Sequence, residues 1–210
     1  MTTIDLVLWD IGQVLYQSPF ERFSELEAHT GMPDGTLPRG FFAPGGDPLW
    51  DAVDSGELDE PEYWRAIEAT CQENVPGLHL YDALRELGWD GRGRPVVLGL
   101  MADVATRYRQ AVLTNDATKF LGVGWKDTWE YAGYFERIVD SLDIGIRKPD
   151  VRSYGAAVEL LGADPGRTLF VDDLEVNVAG ARAAGLQGFR FDTTDPAASV
   201  ATLRSLLDLP

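Results

Sequence analysis

Short apolar runs alternate along this chain with stretches of helical periodicity. Residues 4–9, Ile-Asp-Leu-Val-Leu-Trp, predict a buried strand that ends at Asp10. Further strands are predicted at 109–113, running into Thr114-Asn115-Asp116, at 137–139, at 168–171, ending in Asp172-Asp173, and at 188–191. Helical patterns fill the gaps at 96–107, 117–131, 150–161 and 174–184, with a last one at 196–208. Strands alternating with helices predict an α/β fold: a Rossmann-like, three-layer core whose parallel sheet is covered on both faces.

The alternation breaks once. About a hundred residues separate the first two strands, where a β-α-β crossover needs roughly thirty. The surplus, residues 16–94, reads as an inserted α-helical cap with helices near 20–30, 59–73 and 80–87. Residues 1–15 and 95–210 then form the core. Pro19 and the Gly88–Pro95 stretch mark the hinges.

Composition narrows the function classes. The 210 residues carry 18 Lys+Arg against 34 Asp+Glu, a net charge of −16. Binding to nucleic acid or to an anionic membrane is therefore not expected, since both need a basic face. Residues 16–94 hold sixteen of the acids and six of the bases, so the insertion carries −10 of the total. The single cysteine, Cys71, fits a reducing, cytoplasmic setting. No basic segment precedes an apolar run at the N-terminus, so no signal peptide is expected. No GxxxxGK[ST] loop occurs, and Gly122-Val123-Gly124 does not follow a strand, so neither an ATP-binding loop nor a dinucleotide fold is indicated.

Ligands of open α/β sheets bind at the carboxyl ends of the strands. Here those ends carry Asp10, Thr114-Asn115 and Asp172-Asp173, with Arg147-Lys148-Pro149 in a neighbouring loop. Three carboxylates held together cannot all ionise cheaply. A hard cation such as Mg²⁺ resolves the conflict. One carboxylate can then attack phosphorus, with Lys148 as a compact positive charge for the phosphoryl oxygens. Taken singly, Asp10, the Asp172-Asp173 pair and Thr114-Asn115-Asp116 each also read as helix or turn caps.

In this order the segments resemble the haloacid dehalogenase-like hydrolase superfamily. The segments are Leu8-Trp9-Asp10-Ile11-Gly12-Gln13-Val14-Leu15, Leu113-Thr114-Asn115, Gly145-Ile146-Arg147-Lys148-Pro149-Asp150 and Phe170-Val171-Asp172-Asp173-Leu174-Glu175-Val176-Asn177. The resemblance implies a Mg²⁺-dependent phosphomonoester hydrolase working through an aspartyl-phosphate. Asp10 is then nucleophile and metal ligand, and Gly12 lends its carbonyl to the metal. Asp173 is a direct ligand with Asp172 beside it, and Thr114, Asn115 and Lys148 hold the phosphate. The partner implied is a small phosphorylated metabolite, bound between cap and core of a monomer or homodimer.

Phosphatases of this family place a second Asp two residues after the nucleophile, where this chain has Gly12. Losing a general acid costs on the order of 10²–10⁴-fold in rate. The Asp-x-Gly-x-Val form instead resembles the glucose-1-phosphate phosphatase branch, whose anomeric leaving group needs less protonation. Phe41, Phe42, Trp50 and Trp64 are candidates to stack on a sugar, or else to form the cap's own core. Asp116, Asp172 and bulk solvent are the candidate bases for the hydrolytic water, and Asn177 either orients a carboxylate or caps locally. A 2-haloacid dehalogenase, and a catalytically weak binding or regulatory protein on the same fold, are the alternatives.

Overall fold

The structure is a computed structural model and describes residues 3–40, 45–55, 57–89, 91–115, 117–118 and 122–210. Five strands form one parallel sheet: β1 (Leu6–Trp9), β2 (Arg109–Thr114), β3 (Arg137–Asp140), β4 (Thr168–Asp172) and β5 (Gln187–Arg190). Their order is β3-β2-β1-β4-β5. Trp9 pairs with Val112 on one side and Val171 on the other, so β4 ends one residue and β2 two residues beyond the end of β1. The first strand is thus central, and its carboxyl end lies where the sheet order reverses direction, the usual ligand crevice of such sheets.

Period-two alternation builds two separate cores from the same strands. Val7, Trp9, Val112, Leu169 and Val171 face one cluster, with Val97, Leu100, Met101, Val104 and Leu203. Leu6, Leu8, Ala111, Leu113 and Phe170 face the other, with Tyr154, Ala157, Val158 and Ala181. Burial on both faces explains why the strands read as continuous apolar runs. Gln110 is the polar exception inside β2, and it is satisfied: its Oε1 accepts from Trp9 Nε1 at 3.0 Å and its Nε2 donates to the Met101 carbonyl at 3.0 Å.

The chain divides into two compact units, Met1–Tyr16 with Gly93–Pro210, and Gln17–Arg92. The second is helical: α1 (Phe23–Thr30), α2 (Pro48–Ser55), α3 (Glu60–Asn74) and α4 (Leu80–Glu86). Its core gathers Phe20, Phe23, Leu26, Tyr63, Ile67, Cys71 and Leu84. Trp64 stacks on Phe20 at 5.1 Å between centroids, and Trp50 meets the same ring edge-on at 5.5 Å. Both tryptophans therefore belong to this unit's core; Phe41 and Phe42 lie outside the described residues. Helix α2 escaped the periodicity because it sits in an acid-rich run.

The sheet unit adds α5 (Pro95–Val104), α6 (Trp125–Thr128), α7 (Ser141–Ile144), α8 (Val151–Leu160), α9 (Glu175–Ala183) and α10 (Pro196–Leu206). The helix expected over 117–131 is not continuous. Gly122 and Gly124 both take φ of 83°, a left-handed backbone that ends any α-helix, so only the short α6 follows them. No helix among the described residues is long and apolar enough to cross a membrane.

Candidate active site

Each site residue is placed by the end of a strand or by the loop after one. The Asp10 N–H continues the ladder past β1, donating to the Val171 carbonyl at 2.9 Å. Thr114 closes β2 and Asp172 closes β4, both buried. Lys148 is 5% exposed, and its ammonium donates to Asp10 Oδ1 at 2.7 Å and to Asp172 Oδ2 at 2.8 Å. The same Nζ lies 5.3 Å from the centre of the Phe170 ring. Asp173 completes the group: oxygens of Asp10, Asp172 and Asp173 all lie within 4.8 Å of one another.

Supporting bonds hold these groups in place. Asn115 Nδ2 donates to the Lys148 carbonyl at 3.0 Å, and the Lys148 N–H donates back to Asn115 Oδ1 at 2.9 Å. Asn177 Nδ2 donates to Asp172 Oδ1 at 3.0 Å and Oδ2 at 3.1 Å. The Leu174 N–H adds a bond to Asp172 Oδ1 at 2.9 Å. Tyr154 Oη donates to the Asn177 carbonyl at 2.6 Å. Of its two open roles, Asn177 takes the one that orients a carboxylate.

The electrostatics follow from crowding. Burial, and then the charge of Asp172, push the Asp10 carboxyl up to about 6 against the pull of Lys148. Burial and the charges of Asp10 and Asp172 push Asp173 up to about 8. Burial works against the Lys148 ammonium, but Asp10 and Asp172 outweigh it and hold the lysine charged. Ionising all three buried carboxylates beside one ammonium would leave a surplus of two negative charges, which is why the carboxyls of Asp10 and Asp173 hold their protons so high. Hard oxygen donors with that surplus fit Mg²⁺, which takes carboxylates readily. Asp10, Asp172 and Asp173 would hold it. The Gly12 carbonyl accepts from the Val14 N–H at 2.6 Å and keeps a second lone pair.

One feature was not anticipated from sequence. Asp140 ends β3 fully buried, and its Oδ2 accepts from both the N–H and the hydroxyl of Thr118 at 2.8 Å. It thereby pins the segment that follows Thr114-Asn115. An acid at a strand end was the available signal, the same one that marks Asp10. Of the other lysines, Lys126 pairs with Asp143, and Lys119 lies outside the described residues, as does Asp116.

Comparison with known proteins agrees with this arrangement. The haloacid dehalogenase-like hydrolase family matches residues 4–185. Mouse acyl-CoA dehydrogenase family member 10 is 27% identical over 214 residues, which is 97% of this chain and 19% of that protein. A phosphoglycolate phosphatase of Thiobacillus denitrificans is 33% identical over 138 residues, 64% of this chain and 57% of that protein. The chain thus spans less than two thirds of either relative. Among solved structures, a haloacid dehalogenase-family enzyme of Bacteroides thetaiotaomicron in complex with magnesium and inorganic phosphate shares the fold. The two agree with a TM-score of 0.56 and 21% identity, over 90% of this chain and 95% of that one. With the motif segments gathered at one end of a parallel sheet and most of its length matched, this chain belongs to the haloacid dehalogenase-like hydrolases, a family of enzymes.

Proposed function

We propose that this enzyme is a Mg²⁺-dependent phosphomonoester hydrolase that works through an aspartyl-phosphate on Asp10. The observation that carries the reading is the Lys148 ammonium held between Asp10 and Asp172, with Asp173 sharing the same cluster. The phosphatase named among its relatives, and the magnesium and phosphate in the Bacteroides structure, support it. Bound Mg²⁺ would neutralise the clustered carboxylates and the phosphoryl oxygens. The Asp10 carboxylate attacks phosphorus and the bond to the leaving oxygen breaks. Water then attacks the phosphorus and frees Asp10. Lys148 stays charged throughout and stabilises the phosphoryl oxygens, so catalysis rests on positioning and fixed charge. Thr114 supplies a further hydrogen bond to the phosphate.

Gly12 shapes the substrate choice. A side chain there would begin 3.8 Å from Asp10 Oδ2, beside the reacting oxygen, and glycine places no acid at that point. The substrates best suited are those whose leaving oxygen needs little protonation, such as sugar 1-phosphates. The inserted helical unit is the cap, and its negative charge disfavours polyanionic substrates. A metal-free dehalogenase gains nothing from a third buried carboxylate, since its substrate is itself anionic.

The test is a panel of phosphate esters assayed with and without Mg²⁺ beside Asp10→Asn. The expected result is Mg²⁺-dependent hydrolysis, fastest on sugar 1-phosphates and abolished by Asp10→Asn. Activity that survives Asp10→Asn overturns the mechanism. Equal rates on simple alkyl phosphates overturn the substrate preference.

A further inference from the structure

Gln13 is unusual in two independent ways. Its backbone has φ of 56°, one of two positive values at non-glycine residues among those described. For a long side chain this conformation is unfavourable, and such strain persists where function holds it. Its side-chain Oε1 is also buried with no hydrogen-bond partner, a condition shared among the described residues only by Arg22 Nε. A buried amide oxygen without a partner is unfavourable as well, because it has given up its bond to water and gained none.

The surrounding loop is firmly held. Arg94 Nε donates to the Gln13 carbonyl at 3.0 Å, and the Arg94 N–H donates to the Leu15 carbonyl at 2.7 Å. Gln13 follows directly on Gly12, whose absent side chain leaves open the space beside Asp10 Oδ2. The first side-chain acceptor in the chain after the nucleophile is therefore an unsatisfied amide oxygen, next to a position that lacks its acid.

Resting on the aspartyl-phosphate reading above, we infer that Gln13 holds the water that hydrolyses this intermediate. An amide oxygen accepts a hydrogen bond but carries no proton to give, so it does not replace the missing acid. It can orient water for attack on phosphorus, as a glutamine does in GTP hydrolysis. In that step the water oxygen bonds to phosphorus while the bond from phosphorus to the Asp10 carboxylate breaks. One water proton passes to a phosphoryl oxygen, and the products are the Asp10 carboxylate and dihydrogen phosphate. Gln13 Oε1 accepts from the other O–H.

Rapid-quench kinetics with p-nitrophenyl phosphate and Mg²⁺ test this on the full chain, on Gln13→Gly and on Gln13→Asn. Glycine suits the left-handed backbone and deletes the amide; asparagine tolerates the backbone and leaves its amide one methylene short. The expected result is a stoichiometric burst of nitrophenol in both variants. Steady turnover should then run about 10- to 100-fold slower than in the parent, with KM falling in step and phosphoenzyme accumulating. Unchanged turnover, or burst and steady rates falling together, overturns the role of Gln13. A rise in KM without accumulation of phosphoenzyme also overturns it, by making Gln13 a substrate contact. If the parent forms no phosphoenzyme and Asp10→Asn retains activity, the aspartyl-phosphate reading itself fails, and this inference fails with it.

Discussion

Asn115 and Lys148 close a two-bond ring between segments 33 residues apart, each giving one hydrogen bond to the other. Each polar atom of the Asn115 side chain makes one bond to the Lys148 backbone, and the lysine's Nζ reaches Asp10 and Asp172 from that fixed base. The amide expected to hold phosphate is thus first of all a support for the lysine. Replacing it with alanine unties the loop without touching a charge. Asn115→Ala is expected to lower kcat about 10- to 100-fold while KM moves little. Steady-state kinetics on one good substrate decide it, because loss of a direct phosphate contact would appear mainly as a higher KM.

The metal-free protein should lose stability as pH rises from about 4 to about 8. Asp10 is raised to about 6 and Asp173 to about 8 in the folded state, both above the ordinary carboxylate range. The native state then binds more protons than the unfolded chain across that window, and stability falls with increasing pH. Asp173→Asn removes the most strongly shifted group. Its melting temperature in EDTA should exceed the parent's at pH 8 and match it near pH 4. Mg²⁺ should raise the parent's melting temperature most at the alkaline end and leave Asp173→Asn little changed. A parent that gains stability over Asp173→Asn as pH rises, without metal, contradicts the origin assigned to these shifts.

Much of the framework is legible in residue order because it depends on local alternation. The buried strands around Leu8, Val112 and Phe170 announce themselves as apolar runs, and Asp10 and Asp172 stand where those runs stop. What escapes is set by tertiary partners or by backbone conformation. The bond of Asp140 to Thr118 forms only after separate segments meet, and that of Asn177 to Asp172 depends on how the turn after β4 folds back on the strand end. The left-handed turns at Gly122 and Gly124 defeat a helical pattern that their neighbours otherwise support. Helix α2 hides because acids such as Asp51 on its exposed side mask the apolar side carrying Trp50 and Val53.

Gly180 should not tolerate even a methyl group. A Cβ there would lie 2.5 Å from the Pro149 carbonyl oxygen and 3.0–3.1 Å from the Tyr154 ring and hydroxyl. The first of these is backbone next to Lys148, and Tyr154 in turn holds the Asn177 carbonyl. Alanine is the better helix former by about 1 kcal/mol, so propensity alone predicts a gain in α9. The clash should reverse that sign, destabilising Gly180→Ala by about 1–3 kcal/mol and lowering activity through the displaced lysine. Chemical denaturation paired with kinetics checks both effects. A more stable variant would mean that the loop gives way easily.

The acids of the inserted unit should divide into two functional groups. Glu27 is 1% exposed and accepts from the Gly35 and Leu37 N–H groups at 3.0 and 2.7 Å, while Asp47 accepts from the Gly40 N–H at 2.9 Å and the Tyr63 hydroxyl at 2.7 Å. These two organise loops. Glu27→Gln replaces an acceptor-only group with one bearing an NH₂ that faces other donors, and should cost about 1–3 kcal/mol of stability. Asp51, Glu57 and Glu73 are exposed, and changing them to lysine should leave melting within about 0.5 kcal/mol each. If the net charge of −11 on this unit, residues 17–92, screens substrates, that triple change should lower KM for an ester carrying a second phosphate more than for a plain monophosphate. The difference should shrink as salt is added. Equal responses of the two substrates at low salt would show that the negative charge does not select the substrate.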